Sequence, residues 1–435
     1  MKNDRILHES PLLQEKYYEY THKSGLKVYV FPKKMTNTYA LFATKYGSID
    51  NSFRLEGDDK YTEVPQGIAH FLEHKMFTAP DGSDAFDRFA LYGADANAYT
   101  SYDKTVYLFS CSENFERCFD ELIEFVTHPY FTRETVEKEQ GIIAQEIRMT
   151  DDLPSLRSYY GMLRGLYSVH HIRNNICGTV ESISRITPEL LYRSNEVFYS
   201  ASNMAIVVCG DVDPEKIYAQ VCANIGDGFG VCRAIERQRP AEPTEICSRR
   251  VQCKMQVAKP LFTIGIKDNN IPVKPADRAR RDAIMSMIND LLFSQTSRLY
   301  NSLYEEGLIS PDMTSSYTIS ESFAFHSVSG ESYCPETVFD RVREYVEDIR
   351  RRGFEKEDFE RCRKVFYSSF VREFDSTDDI ANNLISFVFD GIEMFDYADI
   401  IASLTCEEVT ETLRSDMKDE LFTLSVVYPF DHKED

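Results

Sequence analysis

The chain has 435 residues, 43% of them hydrophobic and 13% aromatic, enough apolar surface for the cores of two or three domains, which excludes a disordered protein. Lys and Arg number 49 against 71 Asp and Glu, and the formal charge of −22 excludes a nucleic-acid partner, which needs a basic face. No run of about 18 apolar residues offers a bilayer span, so no membrane partner is expected.

In chain order, the opening MKNDRILHES has no apolar run behind its basic residues, so no secretory signal is expected. The eleven cysteines form no C-x-x-C pair. They fit a reducing compartment, with most of them acting as small buried hydrophobes, and the expected location is the cytoplasm. KYYEYTHKSGLKVYVFP reads as a β-hairpin turning near Ser24 and Gly25.

The segment GIAHFLEHKMF, Gly67 to Phe77, places His70, Glu73 and His74 in the spacing H-x-x-E-H. On an α-helix, residues three and four apart lie about 40° to 60° from each other around the axis, so the three side chains share one face and two imidazoles can grip one metal ion. Phe71 and Leu72 point the other way, into the core. From Glu113, ENFERCFDELIEFVTHPYFTRETVEKEQGIIAQEI reads as two amphipathic helices broken at His128 and Pro129. In the second of these, Glu139 and Glu146 lie two turns apart on nearly one face, and Val136, Ile142, Ile143 and Ile147 supply packing positions.

A catalytic zinc site needs a third protein ligand and one open position for water, and Glu146 is assigned as that ligand beside His70 and His74. Two neutral imidazoles and one carboxylate leave Zn²⁺ with net charge +1, still a strong Lewis acid. Glu73 is assigned as general base, and Glu139 as the group orienting a histidine ring from behind. The same donors suit manganese or cobalt, so the spacing leaves the ion's identity open. His170 and His171 cannot share a helix face, His128 sits in a helix-ending turn, and His8, His22, His326 and His432 are isolated; all are expected to be structural or exposed.

TPELLYRSNEVFYSASNMAIVVCGDV, from Thr187, is a capped helix followed by an apolar strand. The Gly-, Pro- and charge-rich stretch from Gly226 to Ile246 reads as a linker. The expected layout is an N-terminal metal-binding domain over 1–228, a linker over 229–246, and a C-terminal domain over 247–435 without the metal motif. VQCKMQVAKPLFTIGI, turning near Lys259 and Pro260, opens the second half as a hairpin opens the first. PETVFDRVREYVEDIRRRGFEKEDFERCRKVFYSSF, from Pro335, repeats the helix pair, and TCEEVTETLRSDMKDELFTLSVVYPF, from Thr405, repeats the helix and strand. Both offsets are about 220 residues, as one duplicated unit requires. Strands precede helices in each copy, so the fold class is α+β with two homologous halves.

These segments resemble the H-x-x-E-H inverzincins, the family of pitrilysin, insulin-degrading enzyme and mitochondrial processing peptidase, and most of all its short bacterial members of the YmfH type. GIAHFLEHKMF, GADANAYTSYDKTVYLFS and HPYFTRETVEKEQGIIAQEIRMTDDLPS occur in the family's order and spacing. The resemblance implies two halves, each a β-sheet flanked by helices, enclosing a chamber in which short unfolded peptides are cut. It also implies that NAYTS is the inner edge strand, with Asn97 and Ala98 binding substrate as an added strand. Active members carry an Arg and a Tyr in a segment of the form R-E-K-x-G-L-A-Y in the second half. Here SRLYNSLYEEGLISPDM, from Ser297, has Tyr304 where the Arg is expected and Ser310 where the Tyr is expected. Loss of an oxyanion donor costs about 10² to 10³ in rate. The expectation is a zinc-bearing subunit whose related partner supplies the Arg and Tyr, or else a homodimer, unless Tyr317, Arg298 or Tyr304 substitutes. A non-catalytic scaffold and a dedicated leader peptidase are the alternatives.

Overall fold

The computed structural model describes residues 5–230 and 233–432. The first four residues of the opening segment, Val231 and Cys232 of the expected linker, and the last three residues lie outside the described residues. The chain forms two compact units that are not contiguous in sequence: one comprises Met1–Ile147, Asn175–Arg239 and Val371–Phe389, the other Arg148–Asn174, Pro240–Phe370 and Asp390–Asp435. The helical stretch that follows the helix pair in each half is therefore assigned to the other half's unit.

The first unit contains β1 (Ile6–Ser10), β2 (Glu15–Thr21), β3 (Lys27–Pro32), β4 (Thr38–Thr44), β5 (Ser52–Leu55), β6 (Thr62–Glu63), β7 (Asp95–Thr100), β8 (Thr105–Cys111), β9 (Met204–Gly210) and β10 (Ile235–Arg237). Seven of these form a sheet in the order β1-β2-β3-β9-β4-β8-β7, with β3 and β9 parallel and the other pairs antiparallel. The continuous apolar run MAIVVCG puts β9 in its interior, buried along its whole length. β10, from the expected linker, pairs with β5, which also pairs with β6. The helices α1 (Ile68–Met76), α2 (Ala85–Leu91), α3 (Phe115–Thr127) and α4 (Arg133–Asp151) belong to the first half, and residues 371–389 join its unit. Asn382 bonds the hydroxyls of Tyr39 and Tyr99, and Lys45 Nζ donates to the Phe389 carbonyl at 2.6 Å.

The second unit contains β11 (Arg250–Met255), β12 (Leu261–Lys267), β13 (Thr314–Ile319), β14 (Ala324–Glu331) and β15 (Phe422–Pro429), in the order β11-β15-β12-β14-β13. This order and its pattern of one parallel and three antiparallel pairs repeat β3-β9-β4-β8-β7 of the first unit. The two halves are homologous α+β structures. The expected hairpin over 251–266 differs in pairing, because β15 lies between β11 and β12, parallel to one and antiparallel to the other. The buried apolar run FTLSVVYP needs ladder partners on both edges, and the turn near Pro260 only returns the chain across it. The helix Pro154–Leu166 lies against this sheet, and glycine is required for its close approach: a Cβ on Gly161 would sit 2.2 Å from Ser425 Oγ. Among the described residues no helix is long and apolar enough to cross a membrane.

Candidate metal centre

α1 starts at Gly67, whose φ of 88° turns the chain into the helix. Ile68, Phe71, Leu72 and Met76 enter the core, and the opposite face carries His70, Glu73 and His74, whose two rings lie 4.6 Å apart between centroids. His70 and Glu73 are buried, although polar, so each needs partners. α4 supplies one for His70: Val136, Ile143 and Ile147 anchor this helix, while Ile142, expected among these packing residues, is 46% exposed because it falls outside the buried stripe.

Of the three proposed metal ligands, the structure gathers His70 and Glu146 into one close group of donors, while His74 approaches the other oxygen of the Glu146 carboxylate and falls outside that group. Glu146 Oε1 lies 3.4 Å from His70 Nε2, and its Oε2 lies 3.6 Å from His74 Nε2. Glu139 stands behind His74, with Oε1 3.1 Å from Nδ1, and its other oxygen is 3.9 Å from Lys75 Nζ. A ring whose Nδ1–H is held by a carboxylate presents Nε2 as an electron-pair donor. Glu73 does not join this cluster of donors; its Oε2 accepts a hydrogen bond from Thr100 Oγ1 at 2.5 Å. The proton of Thr105 is committed to the Tyr46 carbonyl at 2.9 Å, so the Thr100 hydroxyl is left to serve Glu73. Thr100 ends β7, the outermost strand of its sheet, and Ala98 and Asn97 lie just before it on that edge. Asn97 is exposed, and its Oδ1 accepts from the Ala98 N–H at 2.9 Å.

A fourth group reaches the cluster that sequence reasoning missed. Cys177 Sγ lies 3.8 Å from both His70 Nε2 and Glu146 Oε1. One donor atom each from His70, Glu146 and Cys177 lie within 4.8 Å of one another, the group that could hold a metal ion among the described residues. No spacing motif announces Cys177, which comes from a loop after the short helix His171–Arg173.

The His70 imidazole, the Glu146 carboxylate and the Cys177 thiol form a mixed donor set of the kind a borderline-soft divalent ion takes. Burial opposes a charge on His70, but Cys177 and Glu146 outweigh it and its pKa is pushed up to about 10. The His70 hydrogen bond in turn holds Glu146 below the usual carboxylate range. A metal ion fits the cluster by the placing and chemistry of its three donors.

In the second unit, Tyr304 is half-exposed on the helix Arg298–Glu305, and Ser310 Oγ accepts from Lys259 Nζ at 2.7 Å. Tyr317 donates to Asp268 at 2.7 Å and Arg298 pairs with Asp358 at 3.2 Å. His326 is fully buried beside Asn289, and His170 Nε2 meets Ser322 Oγ at 3.1 Å.

Residues 59–179 match the family described as insulinase (peptidase family M16), and residues 185–366 match the peptidase M16 inactive domain. YmfH, an uncharacterized zinc protease of Bacillus subtilis (strain 168), is 39% identical over 96% of this chain and 97% of its own. YmxG, a second uncharacterized zinc protease of that organism, is 22% identical over 72% of this chain and 76% of its own. An M16-like peptidase from Alicyclobacillus acidocaldarius superposes with a TM-score of 0.92 and 34% identity, covering 97% of this chain and 99% of the other. Pitrilysin, at 16% identity and a TM-score of 0.75, shares the fold over 98% of this chain and 46% of its own.

Proposed function

The chain belongs to the insulinase family, peptidase family M16, and from that premise we propose that it is a zinc endopeptidase of the cytoplasm, cutting short unfolded peptides as the metal-bearing subunit of a two-chain enzyme. The observation that carries this reading is the convergence of His70 Nε2 and His74 Nε2 on the Glu146 carboxylate, with Glu73 on the same helix and kept out of the donor set by Thr100. A zinc ion held by His70, His74 and Glu146 would supply Lewis acidity, lowering the pKa of a water and polarising the scissile carbonyl. Glu73 takes the proton of that water as it attacks and passes it to the leaving amine, so the reaction needs no covalent intermediate. Glu139 holds the His74 ring in one tautomer. The free edge of β7 binds the peptide as an added strand, with Asn97 and Ala98 beside the bond to be cut.

The departure at Tyr304 and Ser310 supports the two-chain assignment, since no Arg and Tyr stand at the matching positions to stabilise the oxyanion. The partner is a related chain that lacks H-x-x-E-H and carries that pair. Mixing the purified chain with such a partner is expected to raise peptide hydrolysis by about 10² to 10³ over the isolated chain. Full activity of the isolated chain overturns the two-chain part; no hydrolysis in any mixture favours a non-catalytic subunit.

A further inference from the structure

Resting on the metal site proposed above, we propose that Cys177 is a fourth, displaceable ligand of the metal, closing its coordination in the substrate-free chain.

Three distances carry this inference. In a tetrahedral zinc site, with bonds of about 2.0–2.2 Å to nitrogen and oxygen and about 2.3 Å to sulfur, neighbouring donors stand about 3.3–3.7 Å apart. His70 Nε2 and Glu146 Oε1 are 3.4 Å apart, and Cys177 Sγ is 3.8 Å from each. The three atoms approach one face of such a tetrahedron, with the two edges to sulfur slightly longer than the bonded range. His74 Nε2 stands 3.6 Å from the second oxygen of that carboxylate, Glu146 Oε2, outside the group of three donors that lie within 4.8 Å of one another. His70 is nine-tenths buried and aims Nε2 at the sulfur and the carboxylate, while its Nδ1 has no hydrogen-bond partner.

The loop that carries Cys177 is built against the metal helix. Gly67 and Gly178 both have positive φ, and a Cβ on Gly67 would lie 2.4 Å from the Cys177 carbonyl oxygen, while one on Gly178 would lie 2.5 Å from that of Gln66. Ser182 Oγ donates to the Gln66 carbonyl at 2.7 Å, and the Cys177 N–H donates to Asn175 Oδ1 at 2.9 Å. The sulfur is therefore held at the cluster by backbone fitted on both sides.

Catalytic zinc sites keep a position for water, whereas sites with four protein ligands are closed. With Cys177 coordinated, the set becomes two histidines, one glutamate and one thiolate, which leaves no room for the attacking water. Forming the sulfur–metal bond breaks the S–H bond and releases its proton to solvent; displacement by water reverses both changes. Cys177 is thus a latch on the site, released when water takes the place of its sulfur.

Cobalt titrated into the metal-free full chain under reducing conditions tests this without any activity measurement. Wild type is expected to bind one equivalent and to develop a near-ultraviolet sulfur-to-cobalt charge-transfer band. Cys177→Ser is expected to bind one equivalent with the band lost. Zinc X-ray absorption on wild type needs no substitution and is expected to find one sulfur neighbour at about 2.3 Å. Bound cobalt without the band, or a band that persists in Cys177→Ser, overturns the inference and leaves the His70, His74 and Glu146 site standing. A chain that binds no cobalt overturns both.

Discussion

Glu73→Gln is expected to leave zinc content unchanged and to lower kcat for peptide hydrolysis by about 10² to 10⁴, the range lost with a general base. The replacement keeps the size of the side chain and an oxygen that can accept the Thr100 hydrogen bond, so the buried pocket at α1 stays filled. What it removes is the capacity to take a proton. KM should change little, because the role proposed for Glu73 is proton transfer and not binding of the peptide. Metal analysis beside a peptide cleavage assay, run on whichever assembly turns over, separates this outcome from simple loss of the ion; undiminished cleavage removes Glu73 from the mechanism.

Replacing Arg281 with Met is expected to have the largest effect on stability. Its guanidinium forks onto Asp268, with Nε at 2.9 Å and a terminal nitrogen at 2.5 Å, and that nitrogen also reaches Asp416 at 2.8 Å. Tyr317 completes the Asp268 carboxylate at 2.7 Å. Asp268 is almost wholly buried, so without Arg281 a charge stays in the second unit with its main partner gone. Removing one partner of a buried pair costs about 3–5 kcal/mol. Chemical denaturation followed through the second unit measures it. A loss below about 1 kcal/mol, the worth of an exposed pair, would contradict this account. Asp268→Asn combined with Arg281→Met should recover part of the loss, because the charge on Asp268 is gone, while the largely buried Asp416 side chain still lacks its cation.

What could be read in the sequence was what is local in the chain. The geometry of His70, Glu73 and His74 follows from helical period alone, and the shared face of Glu139 and Glu146 from the same period over two turns. The duplication was legible because each half repeats its elements in order, and the common strand order of the two sheets matches it. Non-local pairing left no such trace. Nothing in VQCKMQVAKPLFTIGI distinguishes a hairpin from two strands parted by β15, and nothing in residues 371–389 marks them as part of the first unit. Cys177 and Thr100 reach the site through a loop and a strand end, where neither the 3.6 nor the 2.0 period orders side chains around a shared centre. Ile142 shows the limit of the helical reading, since one residue in a long periodic run can fall just outside the buried stripe.

The central claim is that His70, His74 and Glu146 hold one divalent ion. Competition titration of zinc into the metal-free chain, for wild type and for His74→Ala and Glu146→Ala, tests it most directly. Wild type is expected to bind one tight equivalent and each variant to bind about 10²-fold or more weaker, beyond the 10–100-fold typical of removing a group that only supports a ligand. Unaltered zinc affinity in Glu146→Ala, with the fold intact, would contradict it.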